Sequence, residues 1–399
     1  MQVLTKVVVV GGCGRVGLPL GVALADSGLH VALLDVSPSA VEVVNRGDSP
    51  FLEPGLSLVL ERVRKAGKLE ATMDTSCVRQ AEAVVIVIGT PVDEHLNPDP
   101  NAVVAAIGEI ANHLRSGQLV VLRSTVYPGV TDLVARDLAA RGLDIDVAFC
   151  PERIAEGKAM EELRSLPQIV GASTDSARMR ARELFGRLTN ELIDTTPREA
   201  ELAKLFTNTW RYIKFATANQ FMMIANDHGL DFERIRHAVT HEYPRAADMP
   251  GPGFAAGPCL FKDTMQLAAF NDNGFQLGHA AMLVNEGLPL YLVSQLEKQY
   301  DLVDMTVGIL GMSFKAESDD TRSSLSYKLK RILRFKAKQV LCTDPYVAET
   351  TDSSLVDLET VLEQADILVI GAPHPEYRNL VTDKPVSDVW GITGNGVRL

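Results

Sequence analysis

Cys259 ends a glycine- and proline-rich run, Pro250-Gly251-Pro252-Gly253-Phe254-Ala255-Ala256-Gly257-Pro258, and is followed by Leu260-Phe261-Lys262-Asp263 in what reads as a helix start. The run delivers a thiol, a cation and a carboxylate to one place. A thiol at a helix N-terminus beside an ammonium has a lowered pKa and is a competent nucleophile. The other cysteines, Cys13, Cys77, Cys150 and Cys342, have no such setting and no CxxC spacing. They read as small core residues, so neither a disulfide framework nor a metal site is expected.

A second signature lies near the start of the chain. Gly12-Cys13-Gly14-Arg15-Val16-Gly17 follows an apolar run and opens a helical pattern. The first glycine permits a tight turn, the second lets a pyrophosphate approach the backbone, and the third lets helix and sheet pack closely. Asp35 ends the next apolar run, 18 residues after Gly17, where a carboxylate accepts hydrogen bonds from ribose hydroxyls. The expected ligand is NAD in preference to NADP, held by Gly12, Gly14, Arg15, Val16 and Asp35; a purely structural glycine turn is the alternative.

Three more loops follow strand-like runs: Gly89-Thr90-Pro91, Ser124-Thr125-Val126-Tyr127-Pro128-Gly129, and Pro151-Glu152-Arg153-Ile154-Ala155-Glu156-Gly157. In a doubly wound sheet these are the carboxyl ends of parallel strands, where ligands bind. The first two equally suit ordinary hydroxyl-capped loops, and the third stands evenly between a ligand edge and a solvated loop. Lys204, Asn208, Arg211 and Asn219 recur at helical spacing on one face of an apolar stretch. Such groups inside an apolar surface need a polar partner, a ligand or a water among them; snorkelling is the alternative for Lys204 and, equally, for Arg211. Finally, Gly311-Met312-Ser313-Phe314-Lys315 and Asp319-Asp320-Thr321-Arg322 follow a late strand. Lys315 and Arg322 suit a phosphate, or a solvated charged loop.

The elements that must position these groups come in a regular rhythm. Lys6 to Val10, His30 to Asp35, Ala83 to Ile88, Gln118 to Arg123 and Asp146 to Cys150 read as strands buried on both faces, with helical patterns between them. Thr196-Pro197-Arg198-Glu199 is a capping box with proline at the first helical position, and no breaker follows until Asn226-Asp227-His228-Gly229. One buried helix of about 30 residues is expected, longer than most globular helices. Strand and helix alternation returns after Leu296. The fold expected is α/β, with two doubly wound, Rossmann-like domains joined by a long central helix.

Composition narrows the function. The chain has 399 residues and a net charge of −12 without a basic stretch, which disfavours nucleic acid as a partner. The apolar run at the start is too short for a signal peptide and no run of about 18 apolar residues follows, so a cytoplasmic protein without a membrane partner is expected.

In order along nearly the whole chain, these segments resemble the nucleotide-sugar 6-dehydrogenases, the family of UDP-glucose, GDP-mannose and UDP-N-acetylhexosamine dehydrogenases. The most specific parts are the cysteine loop, Pro-Glu-Arg-x-x-x-Gly from Pro151, and Phe-Lys-x-x-x-x-Asp-x-Arg from Phe314. The resemblance implies an NAD-binding domain over residues 1–195, a central helical domain over 196–296, and a UDP-sugar-binding domain over 297–399. It implies a homodimer, and oxidation of an alcohol to a carboxylate in two hydride transfers. Cys259 matches the nucleophile that traps the intermediate aldehyde. Lys204 and Asn208 match an oxyanion-stabilising pair, Asp263 and Glu152 groups that handle protons or water, and Thr125 a water ligand. Arg153, Ile154, Arg245, Phe254, Phe314 and Lys315 fall where the family contacts substrate; Thr90, Ser124, Glu156, Lys262 and Arg322 fall where it contacts NAD. Lys204, Arg245, Lys262, Lys315 and Arg322 are expected to form a cationic pocket for a diphosphate.

The resemblance departs at Ala255-Ala256-Gly257-Pro258, where the family has glycine-rich runs, and at Arg15, where it has tyrosine. Pro151-Glu152-Arg153 favours the N-acetylhexosamine branch over UDP-glucose. A two-electron alcohol or hydroxyacid dehydrogenase and a non-enzymatic NAD-binding protein are the competing readings.

Overall fold

The computed structural model describes residues 4–90, 99–394, 396–397 and 399. They form two compact units, divided between Phe206 and Thr207.

The first unit is built on an eight-stranded sheet. Its strands are β1 (Lys6–Val10), β2 (His30–Leu34), β3 (Leu69–Thr72), β4 (Ala83–Ile86), β5 (Leu119–Leu122), β6 (Asp146–Phe149), β7 (Gln168–Ala172) and β8 (Leu192–Thr195). The order is β3-β2-β1-β4-β5-β6-β7-β8. All pairs are parallel except β6 with β7. Starting at β1 and winding outward both ways is the doubly wound topology, which places the loops after β1, β4 and β5 along one carboxyl edge. β4 and β5 are buried along their whole length, as helix-covered parallel strands must be, and separate apolar clusters fill the two faces.

Three of these strands are absent from the sequence reading. β3 and β8 lie at the sheet's two ends; in β3 buried residues alternate with more exposed ones, and β8 has no buried residue, while in β7 Gln168 and Gly171 interrupt the apolar run.

The long helix runs Pro197–Asp227, 31 residues. Its capping box is formed: Thr196 Oγ1 accepts from the Glu199 N–H, and the Glu199 carboxylate accepts from the Thr196 N–H at 2.8 Å. A Cβ on Gly171 would come 2.7 Å from Ala200, so glycine in β7 lets the helix start lie against the sheet. The expectation of a wholly buried rod is corrected. Phe206, Trp210, Phe221 and Ile224 are exposed, at spacings that put them on one side of the helix.

The second unit takes the rest of that helix, then Phe232–Thr240, Leu260–Phe270 and Gln276–Gln299. A parallel four-stranded sheet follows, of β9 (Thr306–Leu310), β10 (Gln339–Thr343), β11 (Ile367–Ile370) and β12 (Val386–Ser387), in the order β10-β9-β11-β12. Helices Leu325–Leu333 and Leu358–Gln364 cover it. The expected α/β fold, with two doubly wound sheets in a chain that passes through a long helix, is what the structure has. Among the described residues no helix is long and apolar enough to cross a membrane.

Candidate active site

The glycine loop separates into glycines that packing requires and one that it does not. A Cβ on Gly12 would meet the Leu33 backbone at 2.7 Å, and one on Gly17 would meet the Gly11 carbonyl oxygen at 2.2 Å. On Gly14 the only atom approached among the described residues is the Gly11 oxygen, at an ordinary 3.6 Å. Glycine at this position keeps clear a space at the start of helix Gly17–Asp26 that the protein does not itself fill, as a pyrophosphate requires. Beside it, Asp35 is held by its own backbone contacts, accepting from the Cys13 N–H at 2.9 Å and the Ser37 N–H at 3.1 Å. These residues fit NAD. Arg15 forms a 2.6 Å ion pair with Glu156 and lies over the Phe51 ring, which links the glycine loop to the loop after β6.

Hydroxyls sew the neighbouring loops together. Ser124 Oγ donates to the Ile88 carbonyl and accepts from the Ile88 N–H, both at 2.8 Å, and Thr90 Oγ1 donates to the Thr125 carbonyl at 2.6 Å. Pro91 lies outside the described residues.

The loop after β6 is shaped from within. Glu152 is buried, and one of its oxygens accepts from the N–H groups of Arg153 (2.7 Å) and Ile154 (2.8 Å), while the other takes the guanidinium of Arg123. Arg123 also donates to Gln168 Oε1 and the Cys150 carbonyl. The Arg153 guanidinium is anchored on the Pro167 carbonyl, and Ile154 packs against the core. Glu53 closes the far end, accepting from the Gly157 and Ala159 N–H groups at 2.8 Å.

Lys204 is only 8% exposed and has no hydrogen-bond or ion-pair partner among the described residues. One turn before it, Glu201 accepts from the N–H groups of Gly129 (2.6 Å) and Thr131 (2.9 Å), capping the helix that follows the Thr125 loop. Burial, the largest influence on Glu201, raises its pKa.

In the second unit, Asn208 Nδ2 donates to Asp263 Oδ2 at 2.5 Å, and Asp263 is fully buried. Its other oxygen accepts no hydrogen bond within the described residues and lies 3.5 Å from the Lys262 ammonium. Asp263 sits in the first turn of helix Leu260–Phe270, whose N-cap residue is Cys259. Cys259 is exposed, whereas Cys13, Cys150 and Cys342 are buried and Cys77 half-buried. Burial pushes the Cys13 and Cys150 thiols up to about 12 and those of Cys77 and Cys342 up to about 11.

The cysteine loop is packed from two sides. Asn219, on the long helix, exchanges hydrogen bonds with the Gly253 backbone at 2.8 and 3.0 Å; the expected polar partner of this asparagine is therefore protein. Gly253, at φ +139°, would drive a Cβ into the Trp390 ring, which also meets Phe254 edge-on. Gly257, at φ +97°, lies against the Phe314 ring, 2.7 Å from a Cβ placed there. The Phe-Lys motif thus backs the cysteine loop, with the Lys315 ammonium 5.9 Å over the Phe314 ring. Ala256 is not among the positive-φ residues, so its methyl group is accommodated without backbone strain. Arg322 forks onto Asp320 at 2.6 to 3.0 Å, Arg245 lies over its neighbour Tyr243, and Arg211 is exposed.

Arg123, Glu53 and Glu201 are missing from the sequence reading. Arg123 left a signal, since an arginine closing an apolar strand needs a buried counter-charge.

Comparison with known proteins bears on the whole chain. Models of the UDP-glucose/GDP-mannose dehydrogenase family match three segments: the NAD binding domain at residues 5–189, the central domain at 198–286 and the UDP binding domain at 308–395. A UDP-N-acetyl-D-mannosamine dehydrogenase of Pyrococcus horikoshii is 32% identical over 92% of this chain and 90% of its own length. Its fold likeness is given by a solved structure of the UDP-D-ManNAc dehydrogenase from that organism, at TM-score 0.87 and 30% identity over 94% of this chain and 91% of that one. A solved UDP-glucose dehydrogenase from Pyrobaculum islandicum has a TM-score of 0.91 and 31% identity, covering 97% of this chain and 94% of its own. The open space at Gly14, the carboxylate of Asp35 beside it and family matches over all three segments converge on one conclusion: the chain belongs to the UDP-glucose/GDP-mannose dehydrogenase family, NAD-dependent oxidoreductases acting on nucleotide sugars.

Proposed function

We propose that this enzyme oxidises the C6 alcohol of a UDP-N-acetylhexosamine, UDP-N-acetylmannosamine first, to the uronic acid. The observation that carries the reading is the buried Asn208–Asp263 pair on the turn that begins at exposed Cys259, in a chain whose near-full-length relatives include UDP-N-acetyl-D-mannosamine dehydrogenases. The overall balance is one alcohol, one water and two NAD consumed, with one carboxylate, two NADH and three protons formed. Bound NAD supplies the hydride acceptor for both steps. The first oxidation leaves an aldehyde, a poor hydride donor until it becomes tetrahedral. Cys259 adds through sulfur to form a thiohemiacetal, whose oxidation gives a thioester that water cleaves to acid and free thiol. Lys204 and Asn208 stabilise the oxyanion at each tetrahedral stage. Asp263 takes the proton of the attacking water, and Thr125 holds that water. Glu152, its carboxylate already saturated, maintains the loop that carries Arg153 and Ile154 to the substrate.

In this reading residues 1–195 bind NAD, 196–296 supply the central helix and cysteine, and 297–399 bind the UDP-sugar through Phe314 and Lys315, with Arg245 and Phe254. Thr90, Ser124, Glu156, Lys262 and Arg322 serve the cofactor. A cytoplasmic homodimer engaged in polysaccharide precursor synthesis completes it; the exposed stripe of Phe206, Trp210, Phe221 and Ile224 is the surface a second copy would cover. UDP-glucose is the second reading, favoured by the likeness to the Pyrobaculum islandicum structure. NADH formation measured against UDP-N-acetylmannosamine, UDP-N-acetylglucosamine, UDP-glucose and GDP-mannose separates the two. Two NADH per sugar are expected, and one NADH per sugar would refute the four-electron reaction.

A further inference from the structure

A buried histidine stands behind the Phe-Lys turn, outside the residues assigned above. His374, fully buried after β11, reaches three segments of the second unit. Its Nδ1 accepts from the Glu317 N–H at 3.1 Å, and its Nε2 lies 3.1 Å from Asp344 Oδ2 and 3.2 Å from Ser313 Oγ. A ring nitrogen that accepts an N–H carries no proton, so the network assigns the proton of the neutral ring to Nε2, which donates toward Asp344. Asp344, just past β10, uses the same oxygen to hold the N–H groups of Met312 (2.6 Å) and Ser313 (2.9 Å). Its second oxygen takes those of Tyr346 and Val347. Ser313 Oγ donates its own proton to the Lys315 carbonyl at 2.8 Å.

Serine, histidine and aspartate within hydrogen-bonding reach suggest a hydrolytic triad, but the donors and acceptors run the wrong way. The serine proton is committed to Lys315, and the histidine has no acceptor nitrogen facing it. What the network does is fasten both ends of one turn. Met312 and Ser313 are held through Asp344, Lys315 through Ser313, and Glu317, at φ +53° in the left-handed region that non-glycine residues avoid, through His374 itself. Between these anchors stand Phe314 and Lys315.

We infer that His374 is a positioning residue for nucleotide-sugar binding, locking the Ser313 to Glu317 turn so that Phe314 and Lys315 are presented in one arrangement. The inference rests on the reading that these two residues contact the nucleotide. Removing the imidazole leaves the part-buried Glu317 N–H without its partner and buried Asp344 without its side-chain donor, and the two losses together are large enough to shift a loop equilibrium about tenfold. The substitution His374→Gln would restore an acceptor and a donor on one planar group.

The test is calorimetric binding of UDP and, separately, of NAD to the full-length protein and to His374→Ala, His374→Gln and Ser313→Ala. UDP affinity is expected to fall about tenfold or more in His374→Ala and severalfold in Ser313→Ala. His374→Gln should stay within about threefold of the parent, and NAD affinity within about twofold throughout. Where His374→Ala gives no folded protein, Ser313→Ala decides. UDP binding at the parent level in the folded variants, or equal losses of UDP and NAD affinity, would overturn the inference. A parent protein that binds no UDP would instead overturn the nucleotide reading beneath it.

Discussion

Nε and Nη2 of Arg123 converge on a single oxygen of Glu152, Oε2, at 2.7 and 2.5 Å. The other oxygen already accepts two backbone N–H groups, so the whole carboxylate is engaged within a buried site. A carboxylate with both oxygens so engaged has no acceptor position left to turn toward a substrate. The pair instead fixes the loop from Pro151 to Gly157 against β5.

Glu152→Gln should therefore act on stability before chemistry. It leaves the Arg123 charge buried without its counter-ion, a loss of about 3–5 kcal/mol. The expected outcome is a thermal midpoint lowered by several degrees, with the pH dependence of kcat unchanged in shape. Loss of the acidic limb of that profile at an unchanged midpoint would show Glu152 to be a general base.

Gly14→Ala and Gly17→Ala separate cofactor space from protein packing. A Cβ at residue 14 meets nothing closer than 3.6 Å, whereas at residue 17 it overlaps the Gly11 carbonyl. Gly14→Ala is expected to keep its thermal midpoint and to weaken NAD about tenfold or more, a penalty set by the pyrophosphate. Gly17→Ala is expected to lower the midpoint itself, by the usual 1–3 kcal/mol or so of core overpacking. NAD titration beside thermal unfolding reads both, and equal NAD affinity in Gly14→Ala would remove the assigned cofactor space.

Much of this was legible in the residues because the chemistry is local in sequence. The glycine loop, Asp35, the capping box at Thr196 and the turn from Cys259 to Asp263 each declare themselves within a few positions. What escaped depends on contacts between distant segments. Glu201 looks like one more polar residue of a helix until Gly129 and Thr131, some seventy positions earlier, prove to be its partners. His374 carries no motif, and its role exists only because β9, β10 and β11 end side by side. Edge strands β3 and β8 escaped for a related reason: half their residues are polar, so the continuous apolar run that marks a central parallel strand is missing.

Thiol chemistry offers a direct check on the nucleophile. Raised pKa values mean that Cys13, Cys77, Cys150 and Cys342 stay protonated as pH rises to 8; at a pKa of about 11 the thiolate is roughly one part in a thousand. Iodoacetamide at pH 8 is expected to modify Cys259 alone in the folded protein, as read by peptide mass mapping, and activity should fall in step with that adduct. Cys259→Ala should release at most one NADH per sugar and slow acid formation by about a thousandfold or more. Full turnover to the acid in this variant would favour the two-electron reading.

Asp263 meets three demands at once. It accepts the Asn208 amide, lies 3.5 Å from the Lys262 ammonium, and keeps one buried oxygen without a hydrogen bond among the described residues. Burying a carboxylate with spare acceptor capacity is unfavourable; in the proposed reaction the spare oxygen receives the proton of the attacking water. Asp263→Asn keeps an amide oxygen to accept from Asn208 but replaces the second carboxylate oxygen with an NH2 that cannot take up a proton, so kcat should fall by about 10²–10⁴, with NAD binding close to the parent value. Asn208→Ala removes one proposed oxyanion donor and frees the carboxylate; its expected loss is about 10²–10³ in kcat. Because the two side chains form one unit, Asp263→Asn combined with Asn208→Ala should be no worse than Asp263→Asn alone, a non-additivity that steady-state kinetics on the four proteins measures directly. Fully additive losses would mean that the 2.5 Å contact is not what couples them.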